Sequence, residues 1–207
     1  MAQQGILIVI SGPSGTGKGT ICRKLLRNNP QLKYSVSVTT RKPRVGEVDG
    51  VNYFFTSREQ FITMIEGGAL LEWAEVYGNF YGTPRCYVQE QLIKGYDIVL
   101  EIDTQGAMKV KKNFPEGVYV YIIPPSLDEL AERINKRGTD SSSAIEHRLE
   151  CAMDELELAQ NYHYIVVNDQ VAAAVQRVET IIAAEKYRSE RNRDLISSLS
   201  QTKCTSR

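Results

Sequence analysis

Hydrophobic and polar positions along this chain fall into two alternating rhythms. Short β-rich runs at Ile6–Ile10, Ile98–Ile102, Val118–Ile123 and Tyr164–Val167 are apolar on both faces, as strands buried in a parallel sheet are. Tyr34–Val38 adds another strand. Between and after them, apolar residues recur at helical spacing over about Lys18–Asn28, Gln105–Asn113, Leu127–Lys136, Ala144–Asn161 and Val171–Arg188. Pro124-Pro125-Ser126 separates a strand from a helix and offers Ser126 as an N-cap. Strands alternating with helices predict an α/β fold with a parallel sheet flanked by helices.

The stretch from about Ser37 to Pro84 departs from this rhythm. Turn signals (Val45-Gly46-Glu47, Asp49-Gly50, Gly67-Gly68, Gly78-Asn79), the aromatic strand piece Tyr53-Phe54-Phe55 and a short helix at Arg58–Glu66 predict a mixed α+β insertion. A second break, Lys136 to Ser143, interrupts two helices and has the polar, turn-rich composition of a lid. The polar tail beyond Arg188 is expected to fray past about Leu199.

Composition narrows the possibilities. The chain has 207 residues, enough for one core with inserted subdomains. Lys plus Arg and Asp plus Glu both number 25, a balance that argues against a nucleic-acid-coating protein. Cys22, Cys86, Cys151 and Cys204 are scattered with no Cys-x-x-Cys pair, so neither a zinc site nor a disulfide framework is expected. The start of the chain lacks a signal-peptide pattern, and the apolar runs are far shorter than the ~18 residues of a membrane span. The expected location is cytoplasmic, with no membrane partner.

The candidate chemistry begins at Ser11. Gly12, Pro13, Ser14, Gly15, Thr16, Gly17, Lys18, Gly19 and Thr20 directly follow the first buried strand. A strand, a glycine-rich turn and a Lys at the head of a helix make a phosphate-binding P-loop. Converging backbone N–H groups and the positive helix end attract phosphate, and Lys18 adds a mobile charge for the β- and γ-phosphates. Gly19 stands where the usual pattern has Ser or Thr, which leaves Thr20, one position later, as the candidate hydroxyl for a Mg²⁺ ion.

Four further groups stand out. Arg41 and Arg44, with Tyr53 downstream, are close enough in sequence to converge on one phosphate, which Arg binds bidentately. In Leu70–Thr83, strand alternation sets Leu70, Glu72 and Ala74 on one face and Leu71 and Trp73 on the other. Glu72 is then an inward carboxylate, and Tyr81 and Thr83 offer hydroxyls on the next strand. Glu101 and Asp103 lie at the carboxyl end of a core strand, where α/β sheets place their ligand crevice and where either acid can orient metal-bound water. Arg133, Arg137 and Arg148 bracket the lid, the first two one helical turn apart. Arginines so placed can neutralise charge in phosphoryl transfer.

Six blocks occur in an order that resembles the guanylate kinase family: Gly-Pro-Ser-Gly-Thr-Gly-Lys from Gly12, Ser-Val-Ser-Val-Thr-Thr-Arg-Lys-Pro-Arg from Ser35, Gly-Asn-Phe-Tyr-Gly-Thr from Gly78, Glu-Ile-Asp-Thr-Gln-Gly from Glu101, Lys-Arg-Gly-Thr-Asp from Lys136 and Ile-Val-Val-Asn-Asp from Ile165. The resemblance covers about Gly5 to Arg188. It implies a single domain with a P-loop core (1–36, 85–126 and 150–207), a GMP-binding insertion (37–84) and a lid (127–149). It implies phosphoryl transfer from ATP to GMP with Mg²⁺ as cofactor. Arg41, Arg44, Tyr53 and Tyr81 would hold the GMP phosphate; Ser37, Glu72 and Thr83 would read guanine, with Glu101 and Asp103 nearby. Lys18 and the loop amides would hold ATP phosphates, Asn168 would lie near adenine, and Arg133, Arg137 and Arg148 would close over the transferring group. Glu101 stands where many members carry Asp, and Thr83 where many carry Ser. Competing readings are another small kinase, which the Glu72 and Thr83 block disfavours, and a non-catalytic scaffold module, which the intact Lys18 loop and lid arginines disfavour.

Overall fold

The computed structural model of the chain describes residues 4–76, 78–135, 153–193 and 197. Five strands, β1 (Leu7–Ser11), β2 (Leu32–Tyr34), β7 (Asp97–Glu101), β8 (Val118–Ile123) and β9 (Tyr164–Val167), form one sheet in the order β2-β7-β1-β8-β9. All its pairings are parallel. β1 is central, and the chain fills one side of it through β2 and β7 before crossing to β8 and β9 on the other. That reversal puts the ligand crevice at the carboxyl end of β1.

The burial of β1 on both faces follows from its sequence. Ile6, Ile8 and Ile10 pack with Ile21 and Leu25 of α1 (Lys18–Asn28) and with Val175 and Val178 of α6 (Val171–Lys186). Leu7 and Val9 face the opposite layer, with Val88 and Leu92 of α3 (Arg85–Ile93) and Ala107 and Val110 of α4 (Thr104–Asn113). Each fully buried Ile or Leu contributes about 1.5–3 kcal/mol relative to exposure, so this strand anchors the loop that follows it. Asp97 fastens the other end of the sheet, accepting the Ile6 N–H at 3.0 Å and pairing with Lys186 at 2.6 Å.

A second, mixed sheet runs β4-β3-β6-β5, from β3 (Val38–Thr39), β4 (Phe54–Phe55), β5 (Leu70–Val76) and β6 (Asn79–Pro84). Its own core is Val38, Leu70 and Phe80 packed on Phe61 of α2 (Arg58–Glu66). Ser57 caps α2, its hydroxyl accepting the Gln60 N–H while the Gln60 side chain returns to the Ser57 N–H.

Three features differ from the sequence expectation. The run Tyr34–Val38 is two strands in two sheets: the Ser35 N–H still bonds Val99 in the first, and the Ser37 carbonyl accepts from Phe54 in the second. Helix α3 has no counterpart in the apolar pattern, because its buried side chains are Val88, Gln91 and Leu92 while Ile93 faces solvent. In β5 the register shifts between Leu70 and Trp73. Leu70 and Trp73 therefore meet on the Phe80 side, and Leu71 enters the main core, which corrects the simple alternation. Ser126 does cap α5 (Leu127–Asn135), accepting the Glu129 N–H at 3.1 Å. Among the described residues no helix is long and apolar enough to cross a membrane.

Candidate active site

The loop from Gly12 to Gly17 leaves β1 at the carboxyl edge of the sheet and ends in α1. Two glycines are required by close approach. A Cβ on Gly12, at φ 137°, would lie 2.2 Å from the Ile122 carbonyl oxygen, and one on Gly17, at φ 89°, 2.5 Å from Asn168 Nδ2. Gly17 caps α1 with no side-chain hydrogen bond and no acid in the first turn, so the helix presents unfilled N–H groups to a ligand. Ser14 is exposed on the outer bend, and the Thr16 hydroxyl donates to the Pro13 carbonyl at 2.9 Å.

Lys18 reaches back across the loop. Its Nζ donates to the Gly12 carbonyl at 2.6 Å and to that of Pro13 at 3.0 Å. Burial lowers its pKa, opposed by the negative charges of Glu101, Glu155 and Asp103. Thr20 is exposed, and its hydroxyl accepts from Arg23 at 3.2 Å.

Asn168, buried at the end of β9, fixes the loop from below. Its Nδ2 donates to the Thr16 carbonyl at 2.7 Å, its N–H to Ile123, and its carbonyl accepts from Arg133 at 2.9 Å. Arg133 is also paired with Glu129 on α5. The Nδ2 of the Asn168 amide is thus directed at loop backbone, while its buried Oδ1 has no hydrogen-bond partner among the described residues. Asn168→Ala leaves a buried carbonyl without its donor, at a cost of about 1–3 kcal/mol. The expected result is a lower Tm and a KM raised alike for ATP and GTP as donors. Loss of donor discrimination at unchanged Tm would instead mark Asn168 as a reader of the base. Arg137 and Arg148 lie outside the described residues.

The second sheet gathers another set. Arg41 pairs with Glu47 at 2.8 Å and lies over the Tyr53 ring at 5.4 Å, and Tyr53 meets Tyr81 edge-on at 6.0 Å. Glu47 also accepts the Arg44 N–H at 2.7 Å, and Arg41 with that N–H holds the Glu47 carboxyl below its usual range. Arg44 itself is exposed. Sequence reasoning assigned no role to Glu47; its place three residues after Arg44 in a Gly46 turn was the available signal.

Glu72 lies on β5 facing Thr83, whose hydroxyl donates to its carboxylate at 2.7 Å. Thr83 is fully buried, so its single donor is engaged by Glu72. A Cβ on Gly106 would lie 3.6 Å from Glu72 Oε2 and 3.4 Å from Asp103 Oδ1, which puts both acids at the first turn of α4. Asp103 caps that helix through the Gly106 N–H at 2.7 Å. The helix end favours negative charge there. Burial nevertheless pushes the Glu72 carboxyl above its ordinary pKa, against the Thr83 hydrogen bond. Glu101 ends β7 beside the first turn of α1, and Ser37 marks the entry into the second sheet. Glu155, which sequence reasoning passed over, is likewise pushed up by burial and interacts with Lys18.

The P-loop and the acids at the end of a core strand lie on the first sheet, and the tyrosines, the Glu72 carboxylate and the neighbouring arginines belong to the second sheet and its loops. The sequence profile of the family described as guanylate kinase matches residues 4–185. The chain is 56% identical over 187 residues to the guanylate kinase of Desulfitobacterium hafniense strain Y51, covering 90% of this chain and 94% of that one. It is 50% identical over 194 residues to that of Clostridioides difficile strain 630, covering 94% and 95%. The crystal structure of guanylate kinase from Anaplasma phagocytophilum superposes with a TM-score of 0.71 at 34% identity over 95% of each chain. This chain belongs to the guanylate kinase family.

Proposed function

We propose that this protein is an ATP:GMP phosphotransferase that converts GMP and ATP into GDP and ADP, with dGMP as a second acceptor. The observation that carries the reading is the pairing of Glu72 with Thr83 beside the first turn of α4. An ionised carboxylate accepts from adjacent N1–H and N2–H donors, which guanine has and adenine lacks. Arg41, Arg44, Tyr53 and Tyr81 hold the acceptor's phosphate, Ser37 and Asp103 flank its base, and residues 37–84 act as the acceptor-binding unit. The loop amides and Lys18 hold the donor's β- and γ-phosphates, Asn168 keeps the loop in shape, and residues 127–149 act as the lid.

Transfer on this reading needs no covalent intermediate on the protein. The acceptor phosphate oxygen attacks the γ-phosphorus, the bond to the β-bridging oxygen breaks, and ADP leaves. Lys18 with Arg133, Arg137 and Arg148 offsets the charge on the equatorial oxygens, and catalysis is positioning plus electrostatics. Mg²⁺ bound with ATP would supply charge neutralisation at the β- and γ-oxygens. The residues present suit such an ion through a single carboxylate beside the P-loop helix. Glu101 lies beside the first turn of α1, and one or two carboxylates plus phosphates and water are what Mg²⁺ takes.

The test is coupled ADP release with ATP and Mg²⁺ against GMP, dGMP, AMP, UMP and dTMP. A site built on polar pairing rejects the wrong partner by ~10⁴ or more, so kcat/KM for GMP should exceed that for AMP by about that factor. Comparable turnover of AMP and GMP would overturn both the Glu72 role and the function.

A further inference from the structure

Gly19 has no conformational reason to be glycine. It lies inside α1 and is absent from the glycines with positive φ. Nor does backbone crowd the position. A Cβ there would meet Glu101 Oε1 at 3.4 Å, Glu101 Oε2 at 3.5 Å and Arg23 Nη1 at 3.6 Å, all ends of flexible side chains at ordinary contact distance.

What the position does have is a carboxylate above it. Both oxygens of Glu101 lie close to where a hydroxyl on residue 19 would sit. The hydroxyl of a Ser at 19 would lie within reach of the carboxylate at 101 and bond it instead of facing a ligand. An Asp at 101 is one methylene shorter and would leave that hydroxyl free. Thr20, the other hydroxyl available, is exposed and engaged with Arg23.

We infer that Gly19 and Glu101 form one compensated unit. The longer arm of Glu101 carries its carboxylate to within contact distance of the missing side chain's place, and that carboxylate takes over the metal-orienting role of a P-loop hydroxyl. The glycine at 19 and the long carboxylate arm at 101 thus act as one feature built from two places in the chain. Thr20 has no part in metal orientation. The inference rests on the ATP-dependent reading above and deepens it.

The test is Mn²⁺ affinity in the presence of ADP, followed by electron paramagnetic resonance, with Tm as the control for folding. Four proteins are compared with the wild type: Gly19→Ser, Glu101→Asp, Thr20→Val and the double variant Gly19→Ser with Glu101→Asp. Removing a group that orients metal-bound water typically costs 10–100-fold in affinity. Glu101→Asp should therefore weaken Mn²⁺ binding about tenfold or more. The double variant should return to within about threefold of the wild type, a non-additivity expected of residues in contact. Gly19→Ser alone should bring no gain, because its hydroxyl is captured by Glu101, and Thr20→Val should leave Mn²⁺ binding unchanged.

A double variant as weak as Glu101→Asp overturns the inference, as does Glu101→Asp with unaltered affinity, or Thr20→Val as damaging as Glu101→Asp. If Gly19→Ser does not fold, recovery of folding in the double variant supports the pairing and its failure to fold overturns it. The nucleotide panel separates the two readings. Turnover of GMP by the wild type with no rescue in the double variant sinks only this inference, whereas turnover of AMP in place of GMP sinks the function.

Discussion

Lys18→Met should lower kcat by about 10³-fold or more while leaving the dissociation constant for GMP within about twofold of the wild type. Met keeps the unbranched stem that packs in the loop and removes the charge. In the structure that charge lies across the mouth of the loop, held by the Gly12 and Pro13 carbonyls. Two carbonyls hold an ammonium weakly enough for it to swing onto a phosphate, and burial strengthens its field there. Nothing on the acceptor side depends on it, since Arg41, Tyr53, Tyr81 and Glu72 belong to the second sheet and its connections. Burial also lowers the pKa of Lys18, so its charge costs stability in the unliganded protein. Tm of Lys18→Met should accordingly hold or rise. The measurements are single-turnover rates, GMP binding by calorimetry and thermal unfolding. Retention of a tenth of the wild-type kcat would remove Lys18 from the transfer step.

That first prediction rests on a part of the molecule that was plain in the chain. β1 is buried on both faces, so its pattern is set by packing alone, and a glycine loop ending in Lys after such a strand has few other structural meanings. The second sheet was harder to read. Its strands are short, β3 and β4 having two residues each, so no periodicity could separate β2 from β3 across Ser35 and Ser37. The register shift in β5 depends on which partner residues pair, which is tertiary information, and it alone decides that Leu70 and Trp73 share a face. Helix α3 escaped because its burial is divided among Val88, Gln91 and Leu92 rather than a continuous apolar stripe. At the site, residue types announced a charge or a hydroxyl but not its partner. The Asn168 Nδ2 donates to the Thr16 carbonyl, and the Thr83 hydroxyl donates to Glu72, pairings that no spacing in the chain announces. Gly19 and Glu101 were two separate oddities, far apart in the chain, until folding set them side by side.

Glu72→Gln should cut kcat/KM for GMP by roughly 10–10²-fold, the worth of hydrogen bonds to a charged acceptor, while leaving AMP turnover unchanged or higher. The reason begins with the cost of the unliganded site. Burial raises the Glu72 pKa, the Thr83 hydroxyl and the first turn of α4 offsetting part of the penalty. A carboxyl with a raised folded pKa stabilises the fold through its protonated form. That contribution is present below the unfolded value and lost as pH rises through the folded one. In its ionised form Glu72 is therefore a charge with too few donors. Guanine supplies two, N1–H and the 2-amino group; adenine offers a lone pair at N1 and nothing at C2. GMP thus relieves the site and AMP worsens it. The Thr83 hydroxyl has one proton, so it serves guanine O6 only by turning from Glu72, which the incoming guanine donors permit. The substituted amide keeps the shape of the carboxylate, accepts through its oxygen and donates through its nitrogen, and no longer repels adenine N1. The GMP-to-AMP ratio should therefore shrink from both ends. Two further effects follow from the same charge. KM for GMP in the wild type should rise as pH falls through the raised pKa of Glu72, and this rise should vanish in Glu72→Gln. The increase in Tm on adding GMP should be larger for the wild type than for the variant. A variant with the wild-type GMP-to-AMP ratio and the wild-type pH profile would show that base selection lies elsewhere in the second sheet.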